Sequence, residues 1–158
     1  MVYLKALFFL ILFPGTFAVY IPYWIVSNRS EKPTPDFNTW GILGLLLVAP
    51  GIAILLWCVW DFAHSGKGTP APIDPPKTLV VKGLYRHIRN PMYVGVLMIL
   101  LGESLLYRSY AILAYASVVF LLFNAFVRLY EERALAKKFG DSYERYRNEV
   151  PRWIPRLK

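Results

Sequence analysis

The chain has 158 residues, a formal net charge of +8 and a composition that is 56% hydrophobic and 16% aromatic. That is too apolar for an ordinary soluble domain, and the length suits one domain, residues 1–158. The single cysteine, Cys58, lies in an apolar run and excludes an internal disulfide framework and a cysteine metal cluster.

The charge is segregated. Of 18 Lys and Arg residues, nine lie between Arg128 and Lys158 and five between Lys67 and Arg89. A basic chain can signal nucleic acid. Here the cations flank apolar runs, so the expected partner is membrane lipid, with no nucleic acid.

The first apolar run, Tyr3 to Val26, is long enough to cross a ~30 Å hydrocarbon layer as a helix. Pro14-Gly15 should kink it. A secretory signal peptide is the competing reading, but Lys5 is a weak basic leader and the aromatic stretch after Pro14 does not resemble a cleavage site. After a polar loop, a second span starts near Trp40, with tryptophans at both ends as in interfacial belts. The segment AHSGKGTPAPIDPPKTLVVKGLYRHIRN is rich in proline, glycine and cations and cannot be a regular helix. Met92 to Leu106 and Tyr110 to Val127 read as a tight helical hairpin joined by Tyr107-Arg108-Ser109. The last span should continue past Arg128 as a cytosolic helix, stopping at Gly140. Asp141 with Glu144 then offers a capping box.

The fold class is therefore all-α: an integral membrane bundle of about four transmembrane helices with a cytoplasmic C-terminal helical tail. Four spans put both termini and the basic loop on one side, where the positive-inside rule places the cytoplasm. The compact chain suggests a bacterial inner membrane. Oligomeric state is open.

Several groups are candidates for chemistry. In GLYRHIRNPMYVG, Pro91 suits the first turn of the helix that enters the membrane, and Asn90 suits its N-cap. The free N–H groups there favour an anion. Arg128, Glu132, Leu135 and Phe139 fall on one helical stripe, with Arg128 and Glu132 an i,i+4 pair. Glu131 sits beside them on another face. Glu103, a carboxylate in an apolar run, reads as interfacial or structural near Arg108. Asn124 reads as a helix–helix hydrogen bond. His64 and His87 are too few and scattered for a metal site, and His87 as a base is weaker than a packing role. The segment Gly66 to Thr69 lacks the spacing of a phosphate loop.

These ordered pieces resemble the isoprenylcysteine carboxyl methyltransferase family of integral membrane methyltransferases, which in its broad sense includes phospholipid methyltransferase-like proteins. The matching elements are GLYRHIRNPMYVG, a membrane hairpin, and RLYEERALAKKFGDSYERYRNEVPRWIP. The resemblance covers residues 66–155, which it marks as the cofactor-binding and catalytic part. One departure is Asn90, where many members carry histidine. Asparagine keeps a donor and an acceptor but cannot titrate.

The resemblance implies an S-adenosylmethionine-dependent methyltransferase. Its cofactor contacts would fall on Lys77, Thr78, Leu79, Val80, Tyr85, Asn90, Pro91, Met92, Tyr93 and Glu132, with Arg128 facing the methyl acceptor. No metal is implied. The acceptor would be small or amphiphilic, a carboxylate or thiol fitting Arg128 better than an amine, with a prenylcysteine-like molecule or a lipid as examples. Two other readings stand beside it. Membrane sterol-type reductases, which use a reduced nicotinamide dinucleotide, look similar around Arg89-Asn90-Pro91-Met92-Tyr93. A non-catalytic membrane scaffold or lipid-binding protein would bind neither nucleotide.

Overall fold

The computed structural model describes Phe8 and residues 12–28, 34–35, 37–61 and 79–155. Among these residues the chain is all helical. The helices are α1, Leu12–Ser27; α2, Thr39–Asp61; α3, Pro91–Leu106; α4, Tyr110–Phe139; and α5, Asp141–Glu149. Helices α2, of 23 residues, and α4, of 30, are long and apolar enough to cross a membrane. Helix α3, with 16 residues, is apolar but shorter.

Glycine sets the spacing between α2 and α3. A Cβ on Gly44 would lie 2.5 Å from the Gly102 carbonyl oxygen, and one on Gly102 would lie 2.5 Å from that of Gly44. About two turns along, Gly51 and Gly95 repeat the arrangement, at 2.9 and 3.0 Å from each other's carbonyl oxygens. The two backbones touch directly at these points. Between apolar helices in lipid, close van der Waals approach of this kind replaces the missing hydrophobic drive. Leu55, Cys58, Val96, Ile99 and Leu100 then fill the core beside the glycines.

Helix α1 leans on α3 and α4 through two prolines and a π-turn. The turn spans Thr16–Tyr20 and directly follows Pro14-Gly15. Its wider register closes from Ile21 N–H to Thr16 O. The next such bond, to Phe17 O, would need an N–H from residue 22, and Pro22 has none. The Tyr115 hydroxyl of α4 donates to that carbonyl instead, at 3.1 Å.

The hairpin α3–α4 turns as expected. Arg108 adopts φ 45°, and the Ser109 hydroxyl caps α4 by accepting from Ile112 N–H at 3.4 Å. At the other end, Gly140 ends α4 and starts α5 with φ 53° and ψ −131°, a backbone region that side chains avoid. The expected capping box does not form. Gly140 is itself the N-cap of α5, no side chain caps it, and Asp141 lies inside the first turn. Glu144 instead pairs with Arg147 at 3.4 Å.

The glycine contact makes a direct expectation. Gly102→Leu forces α2 and α3 apart and lowers stability in detergent by about 1–3 kcal/mol, the usual range for overpacking. Thermal unfolding followed by circular dichroism checks it, and an unchanged transition contradicts the close-packed interface.

Candidate functional site

The stretch from Leu79 to Asn90 crosses one end of the bundle and alternates its side chains. Tyr85, Ile88 and Asn90 are buried, whereas Arg86 and His87 are exposed. Gly83 begins a 3-10 turn, Gly83–Arg86, with φ 54°. A Cβ there would collide with the Asp61 carboxylate and the Trp57 indole nitrogen of α2. Glycine is thus required both by the backbone angle and by the close approach.

The C-terminal segment binds this stretch along its length. Tyr146 donates its hydroxyl to Tyr85 O at 2.8 Å. Arg89 N–H reaches Pro151 O at 2.9 Å. Asn90 Nδ2 donates to Arg152 O at 3.2 Å. Burial pushes the Tyr146 phenol up, so it stays a neutral donor at ordinary pH. Leu79 packs with Leu135, Ala136, Phe139, Tyr143, Tyr146 and Val150 in a second, smaller apolar cluster.

Glu132 lies at the centre of these ties. Its Oε1 accepts from Arg89 Nη1 at 2.9 Å and from Arg152 Nε at 2.7 Å, and its Oε2 accepts from Arg152 Nη2 at 3.0 Å. The pair with Arg152 is bidentate, the stronger geometry for guanidinium and carboxylate. Its bond to Glu132 holds the Arg152 guanidinium above its ordinary range.

A second π-turn, Val127–Glu131, decides which carboxylate does what. Over a uniform helix, Arg128 and Glu132 share a face. The wide turn adds a residue, so Glu132 N–H closes to Val127 O and the buried face runs through Phe123, Val127 and Glu132. Arg128 is rotated to the exposed side. The expected Arg128–Glu132 pair is thus replaced by Glu132 with Arg89 and Arg152.

Glu131 takes a separate position. Its Oε2 accepts from the Tyr93 hydroxyl at 3.0 Å, and it lines a cavity of about 330 Å³. The cavity is walled by Phe17, Met92, Tyr93, Val96 and Phe123, with Tyr85, Arg89 and Asn90 at its polar end. Rings continue the wall: Tyr93 and Phe123 centroids are 4.6 Å apart, and Tyr93 also faces Trp153 at 6.4 Å. Phe13 of α1 and Leu122 and Phe126 of α4 line it as well and are exposed on the outer surface of the bundle.

The polar end has donors without partners. Arg89 Nε is buried and unpaired among the described residues. Asn90 occupies the N-cap of α3 and Pro91 its first turn, but the Asn90 side chain makes no cap bond. The ladder starts from Val94 N–H to Asn90 O, so the N–H groups of Met92 and Tyr93 precede it. A ligand carboxylate fits this donor set. The ring-lined remainder suits an apolar or aromatic portion.

The candidate residues therefore separate. Tyr85, Asn90, Met92 and Tyr93 line the cavity. Pro91 is buried at the start of α3, Val80 is buried in the main core, and Leu79 belongs to the second cluster. Glu132 and Arg128 do not line the cavity, and Lys77, Thr78 and His64 lie outside the described residues. Glu131 and Arg89 were missed. The adjacent Glu131-Glu132 pair was the available signal, but uniform helical spacing pointed to Glu132. Asn124 accepts from Trp153 Nε1 at 3.3 Å, so its partner is the C-terminal segment rather than another membrane helix. Glu103 keeps one buried oxygen without a partner among the described residues. No group of His, Cys, Asp or Glu among them has the arrangement of a metal site.

The described residues thus form an all-helical bundle with two helices long and apolar enough to cross a membrane and a ring-lined cavity beside the arginines. The phospholipid methyltransferase family matches residues 39–142, and the chain belongs to this family of isoprenylcysteine methyltransferase-like membrane proteins. It is 39% identical over 78 residues to a protein-S-isoprenylcysteine O-methyltransferase of Schizosaccharomyces pombe, covering 49% of this chain and 33% of the relative. It is 33% identical over 124 residues to the cobalt-zinc-cadmium resistance protein CzcN of Cupriavidus metallidurans, covering 78% of this chain and 51% of the relative. It is 31% identical over 135 residues to methanethiol S-methyltransferase 2 of Bradyrhizobium diazoefficiens, covering 85% and 43%. The chain thus spans about a third to a half of these relatives. No solved structure matches it.

Glu132→Ala leaves two guanidiniums facing each other and is expected to lower stability by about 3 kcal/mol, the lower end for breaking a buried pair. The loss appears as a lower unfolding transition in detergent even without ligand. A variant as stable as the parent would show that Glu132 is not a structural node.

Proposed function

We propose that this chain is an integral membrane methyltransferase that uses S-adenosylmethionine and methylates a small or amphiphilic acceptor. The observation that carries the reading is the single cavity wall shared by the α3 entrance and the α4 exit, joined by the Tyr93–Glu131 bond. The family match and the printed names of the relatives support the reaction type.

The residues fit such a cofactor. Arg89 Nε and the Met92 and Tyr93 N–H groups offer donors for its carboxylate. Tyr85, Met92 and Tyr93 offer walls for its adenine. Bound there, the cofactor supplies an activated methyl group on a positively charged sulfur. The protein's part is to hold donor and acceptor in line and to keep water out, since charge disappears rather than builds as the methyl moves. Lys77, Thr78, Leu79, Val80 and Pro91 are proposed as cofactor contacts on the family resemblance alone, since the cavity lining does not include Leu79, Val80 or Pro91.

In this reading α1 to α4 provide four spans with both termini on the cytoplasmic side of a bacterial inner membrane. The basic loop and tail support that orientation. The acceptor enters from the bilayer past Phe13, Leu122 and Phe126, whose exposure on the outer surface supports a lateral path. Arg128, exposed two residues beyond Phe126, would meet an anionic headgroup at the entrance. Membrane lipid is the surrounding partner.

Calorimetric titration of the purified protein tests the cofactor. Affinity for S-adenosylmethionine and none for a reduced nicotinamide dinucleotide is expected. The reverse preference identifies a reductase, and binding of neither identifies a scaffold. Labelled-methyl transfer into a membrane extract, followed by mass analysis, then reveals the acceptor.

A further inference from the structure

We infer that Glu131 is the residue that faces the acceptor, and that the acceptor is an apolar thiol whose proton Glu131 removes. This rests on the methyltransferase reading and narrows it to a substrate class. Three observations lead to it.

The first is the sign of the charge at the cavity. Arg89 is already paired with Glu132, and Glu132 with Arg152. Two guanidiniums share one carboxylate there, so the group keeps one net positive charge, which the cofactor carboxylate held at Arg89 Nε would neutralise at the polar end of the cavity. Arg128 is exposed and absent from the lining. Glu131 is the acid that lines the cavity. An acceptor carboxylate placed beside it would meet a like charge where little water screens the repulsion. A cationic amine would be held by Glu131 as an ion pair with no free electron pair to attack.

The second observation is the hold on Glu131. The Tyr93 hydroxyl donates to Oε2, and Tyr93 is itself wedged between Phe123 and Trp153. That bond fixes the carboxylate at the cavity wall, where it can meet a ligand's donor. The other ionisable groups around Glu131 are Tyr85 from the 3-10 turn, Tyr143 from α5, Arg89 across the cavity, and its neighbour Glu132. The phenols are neutral at ordinary pH, and Glu132 is committed to the two arginines, so Glu131 is the available base.

The third is the chamber itself. Phe17, Met92, Val96, Phe123 and Phe126 form hydrocarbon and ring surfaces, which suit a thiol's soft sulfur and alkyl chain. In the step, the acceptor S–H bond breaks and its proton passes to Glu131. The sulfur electron pair forms the new bond to the methyl carbon. The electron pair of the broken carbon–sulfur bond stays on the departing sulfur and cancels its positive charge. Glu131 returns the proton to water after release.

The test compares hexanethiol, hexylamine and hexanoate, equal in chain length, on purified protein in detergent. Calorimetry with S-adenosylhomocysteine occupying the carboxylate donors at Arg89 should show hexanethiol binding at least tenfold tighter than hexanoate. Glu131→Gln, which preserves the Tyr93 bond, should shrink that ratio at least threefold by removing the repulsion of hexanoate. With S-adenosylmethionine present, Glu131→Gln should slow methyl transfer to hexanethiol about 100-fold at neutral pH, a typical general-base contribution. Its rate should rise with pH as the thiol ionises in solution, approaching the parent rate at high pH. Tyr93→Phe, which releases the carboxylate, should give a smaller loss with the same pH trend. Hexanoate or hexylamine preferred over hexanethiol by the parent, or a Gln variant slowed equally at all pH values, overturns the assignment. Absence of cofactor binding in the parent would instead overturn the methyltransferase reading on which it rests.

Discussion

The site is organised by one carboxylate answering two guanidiniums from distant parts of the chain. Arg89 comes from the stretch that precedes α3, Arg152 from the segment that follows α5, and Glu132 from the end of α4. With side-chain exposures of 10%, 23% and 11%, these charges lie largely away from water. A single unpaired charge in that position would be strongly unfavourable. The triad therefore acts as a register. The arginines, and the backbones that carry them, are held over the end of the bundle only if all three meet. The surrounding bonds, Tyr146 to Tyr85 O, Arg89 N–H to Pro151 O and Asn90 to Arg152 O, follow from that alignment.

The membrane-type portion supplies a rigid base for this cap. Paired glycines let α2 and α3 touch along their backbones, and Gly83 lets the preceding stretch sit against Asp61 and Trp57 at the end of α2. The start of α3 is thereby fixed relative to both neighbours. Two π-turns then adjust side-chain directions without breaking helices. One frees Phe17 O for Tyr115 and seats α1 beside the cavity. The other turns Glu132 toward the arginines and Glu131 toward the cavity. Such wide turns often occur where a helix carries function, and here the reason is geometric. Two adjacent carboxylates serve different partners.

Much of this was legible in the sequence. The hairpin at Tyr107–Ser109, the stop at Gly140 and the entrance at Asn90-Pro91 follow from the local chemistry of proline, glycine and charge. What was not legible depends on register and distance. Helical periodicity assumes 3.6 residues per turn, so it grouped Arg128 with Glu132 and could not foresee the rotation at Val127–Glu131. The partners of Glu132 lie 43 and 20 positions away, beyond the reach of any i,i+4 rule. Asp141 looked like a cap because its type suits one, but Gly140 already provides the turn that a cap would otherwise begin.

The account is therefore one of a small bundle whose basic cap and apolar chamber are coupled through adjacent acids, Glu132 holding the cap and Glu131 facing the chamber. The coupling between Glu132 and Arg152 is its foundation. A double-mutant cycle of Glu132→Gln and Arg152→Met, read as unfolding free energy in mild detergent, measures it most directly. A coupling of about 2 kcal/mol, well inside the range for contacting charged groups, is the expected result. Losses that simply add, to within about 0.5 kcal/mol, would show that the cap is held by something else.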